Sequence, residues 1–209
     1  MDRERGIALY RAGFALLVLA AIVYQATTMA GAGTFDPTRF FLFFTILSNL
    51  FGATLFLVLA SRPRSSHTPW LDFLRGASVV YLTITFIVVI WLLSGADLQV
   101  AIPWVDFVVH KIFPVVVVVD WLIDPPRSRI PFSRALLWLT YPLVWVVFTL
   151  VRGAVDGWYP YPFLNPANGG YGTVAFYVVA ILVAFLAVAA LVATAGNAMG
   201  RRAGRLQPV

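Results

Sequence analysis

The chain has 209 residues, 61% of them hydrophobic and only 11% charged, with a formal net charge of +6. Soluble domains carry about 25% charged residues, so this composition belongs to an integral membrane protein. There is no cysteine, which excludes disulfides and thiolate metal sites. The basic residues are 14 Arg and one Lys, set mostly in short loops between apolar runs, a pattern of membrane topology and not of nucleic-acid binding.

Six apolar runs reach the roughly 20 residues that a helix needs to cross a hydrocarbon core. They cover 7–29, 38–60, 71–93, 103–123, 132–152 and 171–195. Helix is the expected form, because unpaired backbone in lipid is costly and the runs are too long for barrel strands. The expectation is an all-α polytopic membrane protein: one domain over 1–209, built as a six-transmembrane-helix bundle.

The first run begins behind Arg3 and Arg5, contains Arg11 near its start and carries Gln25 in its outer third. The small residues Ala30, Gly31 and Ala32 imitate a signal-peptide cleavage site, but the run is longer than a usual apolar core and Asp2 and Glu4 dilute the basic start. It is expected to stay as a span. The second run holds Thr45, with Ser48 and Asn49 three and four residues later and so on the same helical face. The third carries Arg75 near its start, after a polar loop containing His67.

The fourth run is the most informative. It contains His110, Lys111, Pro114 and Asp120, and Asp106 precedes His110 by one helical turn. An ionisable group at membrane depth marks a functional site unless a partner explains it. Lys111 is expected to snorkel or to pair with a carboxylate. Asp120 is expected to form a structural ion pair with Arg75, since each is otherwise a lone charge near the same end of the bundle. The fifth run ends at Arg152 and contains Pro142. Behind it, residues 158–163 read Trp-Tyr-Pro-Tyr-Pro-Phe. That segment suits either a headgroup-level anchor or a lid over a pocket. The sixth run places Tyr177 in the outer third.

Orientation follows from charge. Arg3, Arg5, Arg11, Arg62, Arg64, Arg75, Arg127, Arg129, Arg134, Arg201, Arg202 and Arg205 fall on one side, twelve of the 15 basic residues. The positive-inside rule then makes both termini cytoplasmic.

Thr45 and His110 each lie seven residues into runs entering from the outside, hence about 10 Å below the outer boundary. A hydroxyl and an imidazole at one depth are the parts of a nucleophile and its base. Asp106 is placed to hold the imidazole tautomer. Asn49, Arg152 or a backbone amide would stabilise an oxyanion. Each residue also has a plainer reading: Thr and Asn hold membrane helices together, and a buried His can be a hydrogen-bonded core group. One intramembrane His without Cys makes no zinc ligand set, and no cofactor is called for.

Phe43-Phe44-Thr45-Ile46-Leu47-Ser48-Asn49-Leu50, His110-Lys111-Ile112-Phe113-Pro114 and Asp120-Trp121 resemble the androgen-induced membrane protein family. Together with Tyr159-Pro160-Tyr161-Pro162-Phe163, they most resemble its bacterial six-span branch. The resemblance implies an intramembrane threonine hydrolase of fatty-acid esters of hydroxy fatty acids, with Thr45 and His110 at the catalytic positions. It also implies a multi-pass protein of the bacterial cytoplasmic membrane whose partner is a membrane lipid or lipid ester. The competing expectation is a non-catalytic lipid-binding or small-molecule transport protein. Transport is disfavoured because no internal repeat or broken helix is evident, although Pro114 and Pro142 could kink their helices.

Overall fold

The computed structural model of the chain describes residues 2–62, 68–93 and 102–204. Arg64, His67 and Arg205 lie outside the described residues. Nine α-helical elements are described: α1 (Asp2–Gly31), α2 (Pro37–Phe40), α3 (Phe44–Ala60), α4 (Pro69–Leu92), α5 (Pro103–Phe107), α6 (Phe113–Ile123), α7 (Phe132–Ala135), α8 (Thr140–Asp156) and α9 (Gly170–Arg202). A π turn, Val108–Ile112, joins α5 to α6, and a 3-10 turn, Leu136–Leu139, joins α7 to α8. No strand occurs among the described residues.

Four stretches are long and apolar enough to cross a membrane: Arg3–Gly31, Pro69–Leu92, Phe132–Asp156 and Gly170–Arg202. They match four of the six expected runs. The other two runs are interrupted. α4 is the central helix and packs against α3, α6 and α9, while α1 packs along α3. The outward faces carry large apolar side chains at helical spacing. Leu9, Leu16 and Val23 on α1, Val144, Val147 and Val151 on α8, and Phe176, Val179 and Val183 on α9 are all exposed. Such broad apolar surfaces are tolerated when hydrocarbon, not water, is the solvent. The chain is a membrane protein.

The 38–60 run is not one helix. Asp36 caps α2 by accepting from the N–H groups of Thr38 and Arg39, with Pro37 in the first turn. The chain then leaves helical geometry, and Phe43 is extended (φ −63°, ψ 123°) before α3 starts. Carbonyls at the break find partners elsewhere in the bundle. Trp145 Nε1 donates to the Leu42 carbonyl (2.9 Å), and Arg152 donates to the Thr38 carbonyl (2.7 Å). Freed backbone groups at this depth need such partners. Hydropathy sees only the apolar side chains of 40–44, which is why the run reads as continuous.

The fourth run departs from α geometry at His110. Pro114 has no N–H, and its ring crowds the carbonyl four residues earlier. The π turn takes up that mismatch. Asn49 Nδ2 donates to the freed region at the Val109 carbonyl, 3.1 Å away, and so ties α3 to the turn.

One end of the bundle is held by charge. Arg75 and Asp120 pair as expected, with Nη2 to Oδ2 2.9 Å. The cluster is larger than a pair. Arg11 reaches Asp120 at 2.7 Å and Asp124 at 2.8 Å. Arg75 also contacts Asp72 (3.4 Å) and donates to the Asp124 carbonyl (2.6 Å). Asp72 in turn accepts from the N–H groups of Arg127 and Ser128. Arg11, Asp72, Arg75, Asp120 and Asp124 are all buried. Arg11, counted among the basic residues of one side, is thus also a buried structural charge. It sits three turns into α1 and ties that helix to α6.

Candidate functional site

The first turn of any helix leaves N–H groups without intrahelical partners. In α3 that turn contains Thr45, and Phe43 at the N-cap has no side-chain cap to offer. The hydroxyl of Tyr161 takes this role, accepting from the Thr45 N–H at 3.3 Å. It also lies 3.3 Å from Thr45 Oγ1. On the other side of Thr45 Oγ1 stands His110 Nε2, 3.2 Å away. His110 Nδ1 is 2.7 Å from Asp106 Oδ1. Thr45 is 5% exposed and His110 4%.

The proton positions follow from these partners. A carboxylate only accepts, so the neutral imidazole carries its hydrogen on Nδ1 and donates it to Asp106. Nε2 is then an acceptor facing the Thr45 hydroxyl. This is the hydrogen-bond order of a nucleophile, a base and an orienting carboxylate. Asp106, Thr45 and His110 come together as the spacing and depth suggested, although Thr45 sits in the first turn after a break and not seven residues into a continuous span.

Other expected site residues fall differently. Asn49 lies beneath Thr45, but its amide nitrogen donates to the Thr45 carbonyl (2.8 Å) and to Val109, leaving neither hydrogen for an oxyanion. Arg152 is also committed elsewhere. It contacts Asp156 at 3.1 Å, the Thr38 carbonyl at 2.7 Å and the Thr38 hydroxyl at 2.9 Å. It fastens α2 to α8 and does not reach Thr45. Ser48 is fully buried, and its hydroxyl faces the phenol of Tyr141 and not Thr45 Oγ1. Tyr177 lies beyond Phe163, with ring centroids 5.9 Å apart, and is a supporting ring behind Tyr161. Lys111 is exposed, with Nζ 5.5 Å above the Phe107 ring. Asp120, with Arg75 and Arg11 on it, is at the far end of the fold and is no continuation of the His110 chain.

Two cavities meet at Thr45 and Tyr161. The smaller, about 560 Å³ with its mouth, is lined by Gln25, Phe43, Val105, Val109 and His110 as well as the shared pair. Gln25 is 4% exposed, and its Oε1 has no partner among the described residues. The larger, about 710 Å³ with its mouth, runs between α4, α8 and α9, where Ile84, Val88, Trp145, Ile181 and Phe185 line it. Its one other hydroxyl, on Thr85, bonds back to the Tyr81 carbonyl at 3.0 Å. Among the described residues, no group of three or more His, Asp or Glu is placed to hold a metal ion.

Tyr161 is the site residue that sequence reasoning missed. The 158–163 segment suggested a headgroup anchor or a lid, and the segment folds inward. Tyr159 packs over Gly153, filling the place where a Cβ would stand. Tyr161 is buried, stacked on Phe163 with centroids 5.3 Å apart. A phenol is protonated at neutral pH, and burial pushes that of Tyr161 still further above the ordinary tyrosine range. The aromatic and proline-rich composition signalled an ordered segment, but not which tyrosine turns in. No family model, curated protein or solved structure matches the chain.

Proposed function

We propose that this protein is an intramembrane hydrolase of lipid esters, with Thr45 as nucleophile and His110 as general base. The observation that carries the reading is the 3.2 Å contact between His110 Nε2 and Thr45 Oγ1, with Asp106 on Nδ1. Its setting supports a lipid substrate, since apolar cavities open on both sides of the hydroxyl. The resemblance to the androgen-induced membrane protein family points to fatty-acid esters of hydroxy fatty acids as the first substrates to try.

The steps balance with water as the second reactant. Thr45 Oγ1 bonds to the ester carbon, its proton passes to His110 Nε2, and the carbonyl π pair moves onto oxygen. The tetrahedral species collapses, the C–O bond to the alcohol breaks, and His110 returns the proton to the departing oxygen. Water then repeats the sequence on the acyl-threonine and releases the acid. Asp106 stabilises the imidazolium formed in each half. Gln25, in the same cavity, is a polar contact for the ester or its head.

In this reading the interrupted runs α2–α3 and α5–α6 also cross the bilayer. The protein then has six spans with both termini in the cytoplasm, in a bacterial inner membrane. The site lies in the outer half.

A non-catalytic lipid-binding protein is the second reading. It is favoured by the engagement of Asn49 and Arg152 away from Thr45, which leaves both expected oxyanion donors occupied. Detergent-purified protein assayed on a fatty-acid ester of a hydroxy fatty acid separates the two. Hydrolysis lost in Thr45→Ala supports the enzyme. Binding of the ester without turnover in wild type supports the carrier.

A further inference from the structure

Hydrogen bookkeeping at Thr45 leaves one donor unaccounted for. With Nδ1–H of His110 given to Asp106, Nε2 accepts, so the single proton of the Thr45 hydroxyl goes to His110. The Thr45 N–H goes to Tyr161 Oη. The remaining contact, 3.3 Å between Tyr161 Oη and Thr45 Oγ1, must then carry the phenol's own proton toward the threonine oxygen. Tyr161 thus donates to the very atom that attacks.

We infer that Tyr161 is a catalytic residue, the oxyanion donor of the ester hydrolysis proposed above. The inference rests on that reading. When Thr45 Oγ1 bonds to the ester carbon, it becomes an ester-type oxygen and a poor acceptor. The negative charge appears on the carbonyl oxygen attached to the same carbon. The Tyr161 proton then shifts its hydrogen bond from Oγ1 to this neighbouring oxygen without any change of rotamer beyond the hydroxyl. No proton is transferred in this exchange. The phenol oxygen meanwhile keeps accepting from the Thr45 N–H, which holds the donor beside the attacking atom. A donor aimed at the developing charge is what acyl transfer uses. It also replaces Asn49 and Arg152, whose donors are spent on backbone carbonyls and on Asp156 and Thr38.

The surroundings suit the role. Tyr161 is held by stacking on Phe163 and by Trp145 at 6.0 Å, contacts that a phenylalanine ring retains. It lines both cavities, so an ester lying across Thr45 passes its hydroxyl. Gln25 Oε1, which has no hydrogen-bond partner among the described residues, adds a buried acceptor to the lining of the smaller cavity. The phenol is neutral at neutral pH, and burial raises its pKa further, so the donor hydrogen is present.

The test compares wild type, Tyr161→Phe and Thr45→Ala on one lipid ester and on its thionoester, whose sulfur is a weak hydrogen-bond acceptor. Binding of the non-hydrolysable ether analogue is measured alongside. Tyr161→Phe is expected to lower kcat by about 10²–10³, the range for one lost oxyanion donor, with KM and ether binding near wild type. Its preference for ester over thionoester should shrink by the same order. A Tyr161→Phe protein with wild-type kcat, beside an inactive Thr45→Ala, overturns the role of Tyr161 and leaves the hydrolase standing. Loss of ether binding that matches the loss of kcat makes Tyr161 a packing residue and also overturns it. Full activity in Thr45→Ala overturns the hydrolase reading, and this inference with it.

Discussion

Thr45 and His110, 65 residues apart in the chain, are brought to 3.2 Å by two local departures from helical geometry. Thr45 stands in the first turn after the break at 41–43, and His110 in the π turn ahead of Pro114. π turns recur at functional sites because they re-aim side chains and release backbone groups. Here Asn49 bridges both departures through the carbonyls of Thr45 and Val109. In the proposed mechanism its role is to fix the distance between Thr45 and His110. Asn49→Ala should therefore lower kcat while raising KM little, and it should also cost stability, since two buried carbonyls lose a donor. Kinetics with a thermal melt in detergent checks both. An Asn49→Ala protein with unchanged kcat would remove the residue from the site.

Removing the Thr45 hydroxyl should take ester turnover to background and leave the fold intact. One such contact in a membrane helix is worth only about 0.6–2 kcal/mol. Thr45→Ser keeps a nucleophile and should keep part of the activity. Equal activity in Thr45→Ala and wild type would contradict the assignment.

Asp106 holds the hydrogen of His110 on Nδ1. Asp106→Asn presents an amide that can bond the other tautomer, which turns Nε2 into a donor and disarms it as a base. A fall in kcat of about 10²–10⁴, within the range for general-base catalysis, is expected, with lipid binding preserved. Steady-state kinetics beside a binding measurement reads this. Wild-type kcat in Asp106→Asn would show that Asp106 is only a local partner of the ring.

Arg11 is predicted to be a structural residue. It satisfies Asp120 and Asp124 in a buried cluster, and breaking one partner of such a cluster costs about 3–5 kcal/mol. Arg11→Leu should lower the melting temperature markedly in detergent, whereas the exposed Arg5→Leu should not. Equal melting of the two variants would mean that Arg11 serves topology alone.

The parts of this fold that were legible from the chain depend on local chemistry. His110 stood out because an imidazole in an apolar run is costly, and Asp106 because four residues place it on the same face. Arg75 and Asp120 could be paired because lone buried charges need partners. Tyr161, Arg11 and the roles of Asn49 and Arg152 were not legible for a common reason. Each is decided by tertiary hydrogen bonds to groups far along the chain: the Thr45 N–H, the Thr38 carbonyl, the Val109 carbonyl or Asp124. Hydropathy averages over side chains and does not register where a backbone ladder is interrupted, so the 38–60 and 103–123 runs read as unbroken helices.

Orientation is testable without background because the chain has no native cysteine. Ser61 and Ala32 are exposed at opposite ends of the bundle. With cytoplasmic termini, Ala32→Cys should react with a membrane-impermeant maleimide on intact cells, and Ser61→Cys only after permeabilisation. The reverse pattern would invert the topology.

The central claim is that Thr45 is the nucleophile, and a covalent adduct tests it most directly. Purified protein is treated with a lipid-tailed fluorophosphonate and digested, and the modified peptide is located by mass spectrometry. One adduct per chain on Thr45 is predicted, absent from Thr45→Ala and slowed in His110→Ala, in which the base is gone. An adduct on another residue, or efficient ester hydrolysis with Thr45 unmodified and replaceable by Ala, would contradict it.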